Sequence, residues 1–317
     1  MGDYRAPLFL AWQVTNACGA RCLHCCEESG PDRAWPSELG SAAALSLARQ
    51  TVELDLAEVA FGGGEPLGYA PIWDVFDILR AGSVAIKIET NGLLIDDRAA
   101  DRLAALEVET VQISLDGARA STHERVRPGS SFQGAVDSVR RLAARGLEPE
   151  VVFVPTRWNF AEAAETFDLA ASLGARKFVT GPMMRLGRAA TAWESLAPSA
   201  AEWSACAAAL EERGRARPGS LAMYPWDIVG ELRARLDRPQ AMLLVVPDGK
   251  VKLLNALPFY CSDLAKATLA EAWDAYQAAW RDPGVRDFIA RALRDPALLR
   301  HANECWPVGP VSVGPGR

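Results

Sequence analysis

Short apolar runs alternate with amphipathic stretches through the first 180 residues, and this alternation restricts the fold more than any single motif does. Strands are expected at Leu8–Val14, Glu58–Phe61, Val84–Glu89, Thr110–Leu115, Val151–Val154 and Lys177–Thr180. Helices with apolar residues three and four apart are expected between them, at Ala42–Glu53, Ile72–Arg80, Asp97–Leu106, Phe132–Arg145 and Ala161–Leu173. A strand, helix, strand order demands crossover connections and hence a parallel sheet. Six such units form a partial (β/α)6 barrel, which presents its functional groups at the carboxyl ends of its strands. With 317 residues, half of them apolar, the chain can bury a barrel-sized core and carry an appendage.

The first carboxyl end carries the densest chemistry. Thr15 to Cys26 reads TNACGARCLHCC, in which Cys18, Cys22 and Cys25 make a CxxxCxxC pattern. A cubane iron–sulfur cluster normally takes four Cys ligands, so a loop offering three leaves one iron open to a non-protein ligand. Zinc held by the three thiolates and His24 is an alternative, strained because His24 lies between Cys22 and Cys25. A disulfide framework belongs to short secreted chains, and seven Cys in 317 residues do not suggest one. Cys26, adjacent to Cys25, reads as a core residue.

After the second strand, Phe61–Leu67 reads FGGGEPL. Three glycines remove every Cβ and let a ligand approach bare backbone, while Pro66 stiffens the exit; a flexible turn is the plainer reading. The third strand ends in Glu89-Thr90-Asn91-Gly92 and the fourth in Ile113-Ser114-Leu115-Asp116-Gly117. Each of these also reads as a simple turn or strand terminator. Thirteen residues after Ser114 stands Arg127, whose fork can grip a carboxylate bidentately. A solvated surface arginine is the alternative there, with Arg125 two residues away.

Four consecutive strands ending in CxxxCxxC, GGGEP, ETNG and SLDG resemble the radical S-adenosylmethionine (radical SAM) superfamily. The resemblance implies that Cys18, Cys22 and Cys25 bind a [4Fe-4S] cluster, and that the methionine amino and carboxylate groups of S-adenosyl-L-methionine (SAM) chelate the open iron. It implies SAM contacts from His24, Gly63, Gly64, Glu65, Pro66, Glu89, Asn91, Ser114, Asp116 and Arg127, with Glu65 at the ammonium and Ser114 and Arg127 at the carboxylate. Within the superfamily the likeness is to the SPASM-bearing maturases of the mycofactocin type, over roughly the first half of the chain. It implies an enzyme that receives one electron from an external reductant such as flavodoxin or ferredoxin, cleaves SAM reductively and takes a hydrogen from a peptide. A small-molecule natural-product or cofactor precursor is the second substrate reading, and a non-catalytic iron–sulfur or peptide-binding partner the third.

Beyond Thr180 the sequence changes character, and a boundary is expected at 190, with residues 1–190 forming the barrel and 191–317 a small α+β SPASM-like domain. A helical stretch at Pro198–Arg213, a linker at Arg213–Ser220 and a hairpin of Met242–Val246 and Lys250–Leu254 around Pro247-Asp248-Gly249 are expected. Helices at Leu269–Trp280 and from Val285, and an extended tail at Pro307–Arg317, complete the reading. SPASM domains carry seven or more Cys for two auxiliary clusters; this region has only Cys206, Cys261 and Cys305, so an auxiliary cluster is not expected. A net charge of -6 without a Lys/Arg stripe argues against nucleic acid. No apolar run reaches spanning length and the start carries no apolar signal core, so no membrane partner is expected. Thiols that must stay reduced point to the cytoplasm.

Overall fold

The computed structural model describes residues 4–309. Six βα units come first: β1 (Phe9–Thr15), α1 (Ser41–Glu53), β2 (Glu58–Gly63), α2 (Ile72–Ala81), β3 (Ala85–Thr90), α3 (Asp97–Ala105), β4 (Thr110–Ser114), α4 (Ala120–Val126), α5 (Phe132–Ala143), β5 (Glu150–Val152), α6 (Ala163–Ser172) and β6 (Lys177–Thr180). There follow α7 (Gly187–Thr191), α8 (Trp193–Leu196), α9 (Ala200–Ala216), β7 (Leu221–Met223) and α10 (Ile228–Asp237). The remainder is β8 (Met242–Val245), β9 (Lys250–Lys252), β10 (Phe259–Asp263), α11 (Leu269–Ala279), α12 (Pro283–Ala292) and β11 (Trp306–Pro307). One sheet of eleven strands runs β11-β10-β9-β8-β1-β2-β3-β4-β5-β6-β7. The partial barrel expected from the alternation is therefore present.

The structure departs from the sequence expectations in three places. The segment read as a linker from Arg213 is helical to Ala216, and Leu221–Met223 then adds a seventh parallel strand beside β6. The hairpin does not stand apart from the barrel: β8 pairs parallel with β1, Leu10 opposite Leu243, so strands on both sides of residue 190 share one sheet. Gly249 supplies the positive φ, 82°, at the turn. Of the tail, Pro307 lies in β11, and 310–317 fall outside the described residues.

Strand alternation divides the residues between two environments. On β1, Leu10, Trp12 and Val14 are buried against the helices, while Phe9, Ala11 and Gln13 face the concave side. In register with Gln13 the concave row runs Gly62, with Glu89 one strand over, then Gln112, Glu150 and Lys177. Gln112 Nε2 donates to Glu150 Oε2 at 2.7 Å, and Lys177 Nζ lies 3.4 Å from Glu150 Oε1. A closed barrel fills this space with layers of Val, Ile and Leu. Here the interior wall is polar, which fits an open barrel that receives a polar guest. No helix among the described residues is long and apolar enough to cross a membrane.

The apolar core lies between sheet and helices. Phe61 sits with its ring 5.6 Å from Trp12 and 5.0 Å, edge to face, from Phe76. Trp273 stacks on Tyr276 at 5.5 Å, and both are buried, so these aromatics are core and line no groove. Because Phe61 is fully buried immediately before the glycine turn, Phe61→Ala is expected to cost about 3–5 kcal/mol through lost burial and cavity formation, read as a lower urea midpoint at unchanged slope.

Candidate functional site

The cysteine loop is closed at its base by backbone. Cys18 N donates to Gly30 O at 3.1 Å and Gly30 N to Asn16 O at 3.3 Å. Glu38 accepts from Thr15 Oγ1 and Asn16 N, at 2.7 and 2.8 Å. Farther out, Arg21 N donates to Pro128 O and Leu23 N to Val126 O, which brings the loop against the end of α4 and so against Arg127.

The glycine turn is laced to the same loop. Gly64 N donates to Thr15 O at 2.7 Å and Glu65 N to Ala17 O at 2.8 Å. A Cβ on Gly64 would stand 2.0 Å from Ala17 O, so this glycine is required by close approach. Pro66 opens a single buried turn of 3-10 helix, and Gly63 takes φ 99°. Glu65 is buried and accepts from Thr90 Oγ1 at 2.7 Å, Asn91 N at 3.0 Å and Leu67 N at 3.2 Å. It thereby ties the β2 turn to the end of β3 and keeps about one of a carboxylate's four acceptor positions free.

The three thiols are unpaired and half-buried. Cys18 Sγ accepts from Ala20 N at 3.5 Å and Asn91 Nδ2 at 3.7 Å, and Cys22 Sγ from Arg127 Nη1 at 3.5 Å. Burial pushes the Cys18 thiol up and Cys25 up to about 12; Glu27 adds to the latter shift and Arg188 opposes it. Metal binding must therefore displace protons from these groups.

Asp116, fully buried, gathers the rest. Its Oδ2 accepts from Arg127 Nε at 2.5 Å and stands 3.2 Å from His24 Nε2, and its Oδ1 accepts from Val154 N at 2.7 Å. Burial is the largest influence on Asp116 and opposes its ionisation, but Arg127, His24 and the Val154 amide together outweigh it and hold the carboxyl below its ordinary value. Burial lowers His24 to about 4, so the neutral ring donates from Nε2. Its buried Nδ1 finds no partner among the described residues. Because His24 is turned to Asp116, it does not join the thiols as a fourth ligand. No three His, Cys, Asp or Glu side chains among the described residues close around a single ion.

The structure thus brings Cys18 to Asn91 and Cys22 to Arg127, and Arg127 and His24 meet on Asp116. Ser114, the last residue of β4, is half-buried, and its hydroxyl carries no hydrogen bond among the described residues. Glu89 lies lower on the concave face, over Gly62 and 3.4 Å from Lys87 Nζ. Arg125 packs its guanidinium 4.2 Å over Trp158, away from the thiols.

Residues that sequence reasoning missed include Glu27, whose Oε2 is 3.9 Å from Cys25 Sγ and whose Oε1 accepts from Gln13 Nε2 at 3.3 Å. Burial pushes its carboxyl up to about 7. It lines a cleft of about 310 Å³ with Asn16, Trp35 and Asn303 among others. Only its place directly after Cys25-Cys26 could have signalled it.

His123, which no motif singles out in the sequence, also belongs to this centre: its Nδ1 accepts from Asp116 N at 3.1 Å and its Nε2 reaches Ser130 Oγ at 3.2 Å. Burial, then Arg127, lowers it to about 4 from 6.5. A base depressed in the folded state stabilises fully above its unfolded value and loses that contribution as pH falls from about 6.5 to about 4. The loss is expected to reach on the order of 3 kcal/mol. His123→Gln should make the fall in urea midpoint between pH 7 and pH 4 shallower, the remainder coming from His24 and from carboxylates held low in the folded state, such as Glu150.

The sequence matches the Radical SAM superfamily over residues 12–180, more than half of the chain. The mycofactocin maturase MftC of Mycobacterium ulcerans is 36% identical over 198 residues, 62% of this chain and 53% of that protein. The AdoMet-dependent heme synthase of Methanosarcina barkeri is 30% identical over 175 residues, 54% of this chain and 49% of that protein. SuiB of Streptococcus suis, in its structure bound to S-adenosylmethionine, shares the fold at TM-score 0.70 and 16% identity, covering 90% of this chain and 68% of that one. The chain spans about half the length of the curated relatives it matches. With the match to residues 12–180 falling on the strands whose ends converge on Cys18, Cys22 and Cys25, the chain belongs to the radical SAM superfamily.

Proposed function

We propose that this chain is a radical SAM enzyme that holds one [4Fe-4S] cluster on Cys18, Cys22 and Cys25, binds SAM above it and abstracts a hydrogen from a peptide. The observation that carries the reading is the convergence of four strand ends on three unpaired thiols, with Arg127 fixed at Cys22 and Asn91 at Cys18. The unpartnered Nδ1 of buried His24 fits a polar guest at the mouth. When bound, the cluster and SAM supply reductive cleavage and hydrogen abstraction.

The chain's own residues orient and exclude. Asp116 fixes Nε of Arg127, leaving the far edge of the guanidinium to meet a carboxylate, and Ser114 adds a free hydroxyl. The free acceptor position of Glu65 meets the ammonium, and Asn91, Pro66 and the glycine backbone close the same side. Glu89, farther down the polar concave row, faces substrate more directly than SAM. Likeness to mycofactocin maturase supports a peptide substrate. Likeness to the AdoMet-dependent heme synthase supports a small-molecule precursor as the second reading. A flavodoxin or ferredoxin supplies the electron, and the cytoplasm keeps the thiols reduced. Residues 191–317 act as a degenerate SPASM-like extension without a cluster: Cys206 is buried in the core and Cys261 Sγ donates to Val251 O at 3.3 Å.

Anaerobically reconstituted protein with dithionite and SAM is expected to form 5'-deoxyadenosine, and Cys18→Ala, Cys22→Ala or Cys25→Ala to abolish it; no product even with candidate peptides present would refute the enzyme reading. Arg127→Lys keeps a charge opposite Asp116 but loses the fork, so SAM affinity should fall by about 2–3 kcal/mol, while Arg125→Ala leaves it near wild type in the same titration. Iron and sulfide assays should find about four irons per chain. A cubane signal surviving in the Cys18/Cys22/Cys25 triple Ala variant would instead reveal an auxiliary cluster.

A further inference from the structure

The run Cys22–Ser29 has no regular structure, so no helix or ladder decides where its carbonyls point. Four of them are claimed by two residues, Arg188 and Asn303, that lie outside the family-matched stretch 12–180. Arg188 reaches two with one guanidinium: Nε donates to Cys22 O at 2.8 Å and Nη2 to Ser29 O at 2.6 Å. Its backbone N–H donates to Cys25 O at 3.0 Å. Asn303 Nδ2 takes Cys26 O at 2.8 Å and Glu28 Oε2 at 2.9 Å. Gly187, at φ 50°, permits the approach, because a Cβ there would stand 2.3 Å from Cys26 O and 2.7 Å from Cys25 O. Glu28 has φ 57°, a conformation that a non-glycine residue holds only when its surroundings impose it, and Asn303 grips its carboxylate.

We propose that Arg188 is the positioning residue of the cysteine loop, with Gly187 and Asn303 as its supports, fixing Cys22 and Cys25 in the geometry that receives the cluster and adding a positive charge beside it. The inference rests on the reading that these cysteines hold the cluster. The guanidinium is needed for its shape, since two donors in a rigid plane span two carbonyls seven residues apart, which a single ammonium on a flexible stem cannot do. It is also needed for its charge. One-electron reduction adds a negative charge to a group already carrying three thiolates, and a cation at the loop favours the reduced form.

The two contributions separate in the full-length reconstituted protein. Arg188→Lys keeps the charge and loses the fork; Arg188→Gln loses both. Arg185→Gln is the control, removing a nearby charge that lies over Trp193. Three readouts are taken: iron per chain, rate of iron release to a chelator, and midpoint potential followed by electron paramagnetic resonance. Release is expected to quicken at least tenfold in both Arg188 variants. The midpoint should move negative only in Arg188→Gln, by a tenfold change in the reduction equilibrium, about 59 mV for one electron. Arg185→Gln should match wild type in all three. A purely structural role would lower the melting temperature and leave the midpoint of Arg188→Gln unmoved, and that result overturns the charge role. Wild-type release from Arg188→Lys overturns the clamp, and this variant carries the test if Arg188→Gln does not fold. A wild-type protein that takes up no iron overturns the cluster reading and this inference with it, whereas iron-replete wild type with unaffected variants overturns this inference alone.

Discussion

On the carboxylate of Asp116, at the end of β4, one oxygen serves both Arg127 and His24 and the other takes the amide of Val154. Removing either partner of a fully buried ion pair leaves an uncompensated charge, at a cost of about 3–5 kcal/mol, so the pair is maintained only as a complete set. Its geometry spreads outward. Asn159 Nδ2 donates to Asp116 O at 3.1 Å and His123 receives its amide, which locks the loops after β4 and β5 to one another. Through His24 the same carboxylate reaches into the cysteine loop, so the strand ends and the thiols are positioned by one electrostatic centre.

Around this centre, close backbone approach does what side chains cannot. The loop after β1 and the turn after β2 touch through Gly64 and Ala17 at a separation that excludes any Cβ. With β1 and β2 paired parallel up to Gly63, the contact continues the sheet into the irregular region above it. On the concave face below, polar residues are held by partners, Gln112 and Lys177 by Glu150 across the strands and Gln13 by Glu27 of the cysteine loop. Buried polar groups persist only when satisfied in this way.

Much of this was legible in the sequence, and the reasons differ by element. β1 to β6 showed themselves through local alternation, and the motif at each strand end was readable because the chemistry is concentrated in a few residues. β7 was missed because three residues, Leu-Ala-Met, carry no period. The hairpin was foreseen but its place was not: the pairing of β8 with β1 joins residues more than 200 positions apart, which no local pattern encodes. The same holds for Arg188 and Asn303, whose partners lie 166 and 277 positions away. For Glu65 the resemblance implies only an ammonium contact; the three protein donors that occupy most of the carboxylate are set by the meeting of two strand ends.

The position of β1 in the sheet has a consequence for how the molecule opens. Flanked by β2 on one side and β8 on the other, it lies four strands from the β11 margin and six from the β7 margin. Strands at the margins fray first, whereas an inner strand exchanges its amide hydrogens only in near-global opening. The cysteine loop hangs directly from Thr15, the last residue of that inner strand. Its anchor therefore belongs to the most persistent part of the sheet, and breathing at the rims leaves the spacing of the thiols undisturbed.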